Sequence, residues 1–269
     1  MSDLMSPRTV AAHPLRDSLT MLRRNLLHAR RYPSMTIGVT GMPVIMLLLF
    51  VYVFGTALST GLGGGGDRSA YIAYVVPGIL LMTVGSGTVP TAVAVCTDMA
   101  EGVVARFRTM AISRSSVLVG HVVGSVIQTM ISLVLVTGVA LAIGFRSDAG
   151  AVEWLAAAGV LALVCCALTW LAVGMGLASP TPEAASNAVL PLSFLLPFIS
   201  SAFVPVDAMP GWIRWFADYQ PFTTVVETLR GLLTGTEIGH NGWLSVAWCL
   251  AITLLGFVWS QRRFARDPR

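Results

Sequence analysis

Residues able to do covalent or metal chemistry are few in this sequence of 269 residues, and their spacing argues against each such use in turn. The run from Gly61 to Asp67, GLGGGGD, resembles a phosphate-cradling loop, but such a loop needs a lysine to reach the phosphates and a Ser or Thr hydroxyl for magnesium. The chain has no lysine. A flexible connector is the reading that remains. Cys96, Cys165, Cys166 and Cys249 form no CxxC, and His13, His28, His121 and His240 are scattered without HExxH spacing. Neither a metal centre nor a disulfide framework is indicated. No nucleophile stands in a recognisable pattern with a base, so no catalytic, cofactor-binding or metal-binding residue is assigned.

The elements that would have to position any site are membrane helices. The chain is 55% hydrophobic and 11% charged, with a mean hydropathy of +0.76, whereas roughly a quarter of a soluble domain is charged. Six stretches lack Asp, Glu, Lys and Arg: 32–66, 69–97, 115–145, 154–182, 184–206 and 238–261. Each exceeds the roughly 20 apolar residues needed to cross a bilayer as a helix. Lipid offers no partner for exposed backbone groups, so continuously apolar runs must be helical. The first run is too long for the core of a signal peptide and follows a segment carrying six Arg, so it is read as a span.

Arginine placement orients the spans. Thirteen Arg lie before the first run, between the second and third, or after the sixth; Arg68, Arg146, Arg214 and Arg230 lie on the opposite side. The positive-inside rule then puts both termini in the cytoplasm. The expected architecture is all-α: a cytoplasmic tail over 1–35 with an amphipathic interfacial helix, a six-span domain over 36–262, and a short cytoplasmic tail over 263–269.

Three connecting segments are patterned. Before the first span, Leu15, Leu19, Leu22 and Leu26 fall on one helical stripe flanked by Arg16, Arg23, Arg24 and Arg30, which suits a helix lying on an anionic leaflet or an ordinary amphipathic surface helix. Between spans two and three, Thr97 to Ser116 mixes Asp98, Glu101, Arg106, Arg108 and Arg114 with apolar Val103, Val104, Phe107 and Met110, a docking surface for a soluble partner. Before span six, Trp212, Trp215, Phe216 and Tyr219 resemble an interfacial aromatic cluster, followed by a short helix over Phe222 to Leu233 with a Glu227 and Arg230 pair. Within the spans, Gly120 and Gly124 form a GxxxG pair continued by Gln128 and Ser132, and Pro77, Pro90, Pro191 and Pro197 predict bends in the second and fifth helices.

Ion-driven transport places an ionisable residue at membrane depth, and none of the six runs holds an acid, Lys or Arg. An outside energy source is favoured. At this point a resemblance becomes specific. The basic amphipathic helix, the six spans, the PGI segment at Pro77 to Ile79, the loop EGVVARFRTMAISRSSVLVG at Glu101 to Gly120 and the segment MPGWIRWFADYQPFTTVVETLRGLLTG before span six together resemble the ABC type-2 exporter permeases. The daunorubicin-resistance branch is the most similar. Departures are Ala111, where relatives commonly carry Pro, and His121, where Arg often follows the glycine.

The resemblance implies a half-transporter in the cell membrane of a bacterium. Two copies of the permease would join two separate ATPase subunits that bind ATP and magnesium, while this chain would bind no cofactor. The Glu101 to Met110 helix, with Glu101, Arg106, Phe107 and Arg108, and nearby Arg114, would dock into the ATPase, and the Leu15 to Arg31 helix would flank it. Independently, a chain without Lys cannot supply the Walker lysine itself. The cargo would be an amphipathic drug, an antibiotic made by the cell, or a lipid. Rival classes are a membrane-embedded enzyme and a structural or channel protein without an ATPase; co-purification with an ATPase separates all three.

Overall fold

The computed structural model describes residues 33–55, 68–101 and 114–266. Among them every regular element is helical. Helix α1 (Pro33–Leu49) runs on through a π-helical turn at Phe50–Phe54, and α2 (Arg68–Ala100), α3 (Arg114–Ala142) and α4 (Ala151–Ala178) follow. Helix α5 (Pro182–Leu190) is extended by a π-helical turn, Pro191–Leu195, and a last turn, Leu196–Phe198. Two short helices, α6 (Gly211–Tyr219) and α7 (Pro221–Thr234), precede α8 (Asn241–Arg266).

Among the described residues four helices are long and apolar enough to cross a membrane: Arg68–Ala100, Leu118–Ala142, Ala151–Ala178 and Asn241–Phe264. The first apolar helix, Gly38–Phe54, is shorter. The fifth uncharged run is continuously helical only as far as Phe198, and its remainder is irregular up to Val206, which opens a 3-10 turn. Pro191 opens the π-helical turn that interrupts this helix, where it removes a backbone donor and crowds the preceding turn. In α2, by contrast, Pro77 and Pro90 sit inside one unbroken helix of 33 residues.

Local chemistry sets the boundaries. Pro180 stops α4, and Thr181 then caps α5, its hydroxyl accepting from the Ala184 N–H at 3.2 Å with Pro182 in the first turn. Helix α7 opens on Pro221 and closes at Gly235, whose φ of 72° is the left-handed geometry that glycine adopts without strain.

Helix α2 is the axis of the bundle. It packs on α1, α3, α4, α5 and α7, and Ile79, Leu80, Leu81, Met82 and Val84 are fully enclosed. Its glycines admit neighbours at backbone distance: a Cβ on Gly85 would stand 2.9 Å from the Ser193 Cα. That contact comes from the π-helical turn of the fifth segment, where Ser193 Oγ donates to the Gly85 carbonyl at 2.9 Å. Helices α4 and α8 form the most extensive pair, with Trp170 edge-on to Phe257 and Ser260 Oγ donating to the Trp170 carbonyl.

The two ends of the bundle differ. One gathers the last turns of α2, α4 and α8 with the start of α3, as Asp98, Leu177, Phe264 and His121 come together. The other gathers residues 143–150, the turns after Phe198, and α6 with α7.

Helix α7 does not lie across that second end; it enters the bundle. Its first residues, Pro221 and Phe222, border the same recess as Leu81, Val164 and Cys249. Leu81 and Val164 are each thirteen residues into their helices from this end, about 20 Å at 1.5 Å per residue. The opposite end of α7 is tied to the 143–150 connection, where Ser147 Oγ donates to the Leu233 carbonyl at 2.6 Å. Helices α6 and α7 are therefore the limbs of a re-entrant hairpin with its apex at Gln220.

Candidate functional site

The polar groups of the described residues concentrate in three places along α2. Nearest the hairpin end, α7 presents Arg230 and Glu227 one turn apart. Their side chains are ion-paired, with N–O 2.5 Å. The Arg230 guanidinium also donates to the Ser201 carbonyl at 2.9 Å and the Tyr74 carbonyl at 3.3 Å, and it stacks 3.9 Å from the centre of the Tyr74 ring. Tyr74 closes the set by donating its hydroxyl to the same Ser201 carbonyl at 2.9 Å. One cation thus fastens α7 to α2 and to the turns after Phe198. Arginine suits this role because its planar fork can bond two carbonyls and stack on a ring at once.

Midway along α2, Thr91 donates to Ser125 on α3 at 2.7 Å, and Ser193 is bound to Gly85. At the other end, His121 Nε2 lies 3.0 Å from Asp98 Oδ2, with side chains 14% and 18% exposed. Asp98 stands two residues before the end of α2 and His121 seven after the start of α3, so this pair joins the helix ends that flank residues 102–113.

The apex of the hairpin is different in kind. Gln220 is 5% exposed, and neither its Nε2 nor its Oε1 has a hydrogen-bond partner. Thr223, one turn on, is 7% exposed with an equally unpartnered hydroxyl. A carboxamide can make up to four hydrogen bonds, and each buried polar group left without one costs about 1–3 kcal/mol. The apex is the most heavily unsatisfied polar point on α7.

Several residues expected from the sequence to carry function have places here. Glu101 is exposed in the turn that ends α2, its N–H bonded to the Thr97 carbonyl. Arg114 is the first residue of α3. Trp212, Trp215 and Tyr219 project from α6, 79%, 68% and 69% exposed, beside the Arg214 and Asp207 ion pair. Gly120, Gly124 and Ser132 are buried on α3, and the Gln128 Nε2 and Ser132 Oγ atoms are enclosed without a partner. Arg106, Phe107 and Arg108, and likewise Leu15, Leu19, Leu22, Leu26, Arg23 and Arg30, lie outside the described residues.

The structure does not bring the expected sites together: Glu101 and the α6 aromatics are at opposite ends of the bundle. Sequence reasoning missed Tyr74, Ser201, Gln220 and the Asp98 and His121 pairing. Tyr74 and Ser201 sit in uncharged runs, where nothing in the pattern marks them; His121 and Asp98 are visible but 23 residues apart.

A family model described as ABC-2 type transporter matches residues 17–234. Among curated relatives, the daunorubicin resistance ABC transporter permease protein of Streptomyces coeruleorubidus is 29% identical over 229 residues, covering 85% of this chain and 79% of its own. A probable doxorubicin resistance ABC transporter permease protein of Mycobacterium tuberculosis is 24% identical over 222 residues, covering 81% of this chain and 78% of its own.

Proposed function

The chain belongs to the ABC-2 type transporter family, and from that premise we propose that it is the membrane half of an exporter that moves an amphipathic drug-like compound outward, driven by a separate ATPase subunit. The observation that carries the proposal is the family match over 17–234, which takes in both the 101–114 connection and the re-entrant hairpin. Relatives named for daunorubicin and doxorubicin resistance support a planar amphipathic cargo.

In this reading six segments span the cell membrane, α1 and α5 serving as the two shorter spans, and both termini lie in the cytoplasm with most of the Arg. The 101–114 end then faces the ATPase, and the hairpin faces outward. The segment from Glu101 to Met110 is the coupling element, and the pairing of Asp98 with His121 supports this by locking together the helix ends through which a pull on that segment would pass. The N-terminal helix over 15–31 rests on the inner leaflet. Two copies of the permease form the pathway, and the permease itself binds neither ATP nor magnesium.

The test is reconstitution. Purified alone in lipid vesicles, the protein should neither hydrolyse ATP nor carry a proton-coupled flux; with its ATPase it should drive ATP-dependent daunorubicin movement. Robust proton-dependent uptake by the lone chain would overturn the assignment. For the coupling element, Phe107→Ala should cost about 2 kcal/mol or more of ATPase association, as buried aromatic anchors do. Reversal of Glu101 should cost less, because rim charges act more on encounter than on residence. Undiminished ATPase binding and transport by the Phe107→Ala, Glu101→Arg double variant would remove the loop from the mechanism.

A further inference from the structure

We propose that Gln220 and Thr223, at the apex of the re-entrant hairpin, are the polar half of a substrate-recognition site that is closed in this structure and opens when α6 and α7 part from α2, α4 and α8. The site takes an amphipathic molecule whose carbonyl or hydroxyl groups bond the Gln220 carboxamide while its apolar body fills the neighbouring recess. This rests on the exporter reading above and adds to it the residues that meet the cargo.

The orphaned amide is the starting observation. At an apex some 20 Å inside the bundle, a leucine would satisfy packing without any polar requirement, yet Gln220 is 5% exposed and both of its side-chain polar atoms are bare. Thr223 repeats the pattern in the first turn of α7, three residues after Gln220, the residue that precedes the helix. Pro221 and Phe222, next in sequence to Gln220, border a wholly apolar recess with Leu81, Val164, Val225 and Cys249. Apolar walls with a few convergent polar groups are the usual composition of a small-molecule site.

The geometry also says that the site is shut. The recess is only about 20 Å³, far below the roughly 300–1,000 Å³ of drug-sized pockets. The Gln220 amide atoms are covered by this chain itself, so neither lipid nor a second copy reaches them without movement of the hairpin. The hairpin has the mechanics for that movement. Its α6 limb touches chiefly α7 and the turn at Val206–Ala208, while the far end of α7 is fixed by the Arg230 bonds to Ser201 and Tyr74 and by Ser147. Opening therefore frees the lightly held α6 limb first and then draws Phe222 and Val225, buried beside Leu81, Val164 and Cys249, out of their packing. Opening exposes the carboxamide to the cargo, whose hydrogen bonds then favour the open state.

The test uses the permease with its ATPase in inside-out vesicles of phosphatidylethanolamine and phosphatidylglycerol, with daunorubicin as the probe. Gln220→Leu and Thr223→Val remove the polar atoms at nearly constant volume. Both variants should keep membrane levels, ATPase binding and melting temperature, because taking away an unsatisfied group is neutral or stabilising. The KM for daunorubicin should nevertheless rise, by about tenfold for Gln220→Leu, the effect of one good hydrogen bond. An unchanged KM, or a melting temperature that falls together with transport, would overturn the proposal in favour of a purely structural apex. A second arm is independent of the cargo. In a chain with its four cysteines replaced, Gln220→Cys should react slowly with N-ethylmaleimide at rest and faster with ATP and vanadate. If the wild type moves no daunorubicin, the cargo part of the exporter reading has failed. Labelling that nucleotide does not change then overturns the apex site as well, and labelling that rises sustains it.

Discussion

Arg230 shows how much one side chain can hold in this bundle. It is 13% exposed, and its charge is met by Glu227, two carbonyls and the Tyr74 ring. Removing one partner of such a set leaves the other charge without its counterpart, so Arg230→Ala should destabilise the protein by about 3 kcal/mol, and Arg230→Lys should restore only part of it. Tyr74→Phe removes a single hydrogen bond and should cost about 1 kcal/mol. Thermal melts of the three variants in one detergent would rank them. Equal melting temperatures for wild type and Arg230→Ala would mean that the cluster does not hold the hairpin. The Glu227 and Arg230 spacing was legible in the sequence as a helical pair. Its fastening to Tyr74 and Ser201 was not, because those partners are 156 and 29 residues away and the bonds run to main-chain oxygens, which carry no side-chain signature.

At the scale of the element, the contacts of α2 explain why some glycines matter and others do not. A Cβ at Gly85 would meet the main chain of Ser193, which cannot rotate away, whereas Gly138, on the exposed face of α3, has nothing within 4 Å. Gly85→Ala should therefore force the π-helical turn of the fifth segment off α2, at about 1–3 kcal/mol, with loss of the Ser193 bond. Gly138→Ala should be neutral or slightly stabilising, since alanine favours the helix by up to about 1 kcal/mol. A lower melting temperature for both variants alike would show that helix propensity, not close approach, governs these positions. Sequence reading picked the Gly120 and Gly124 pair from its spacing. Close backbone approaches are also made by Gly85 and Gly176, which belong to no GxxxG pair, because approach depends on what faces a glycine.

For the whole molecule, the alternation of helices makes a definite prediction about sides. If the basic ends are cytoplasmic, single cysteines at Ser6 and Ser69 in a cysteine-free background should react with an impermeant maleimide from opposite sides of intact cells. Reaction of both from outside would sink the topology, and with it the assignment of the hairpin to the outer face. The fifth helix covers 182–198, about 25 Å at 1.5 Å per residue, so a crossing there would use this shorter helix together with the turns after it.

The sequence by itself determined the solvent of this protein and the family it belongs to. Charge exclusion over long runs is a one-dimensional quantity that lipid enforces residue by residue, and the patterned connections before spans three and six survive in the chain order. Only the tertiary structure decided what the hairpin does. A segment with Arg214, Asp218, Glu227 and Arg230 reads as too short and too charged to span, and only the structure shows that α7 enters the bundle, where Glu227 on the same helix and the carbonyls of Tyr74 and Ser201 from elements distant in sequence answer Arg230. For Gln220 the same logic runs in reverse. Nothing in the chain order marks it, and its unpartnered amide is defined only by the neighbours that folding places around it.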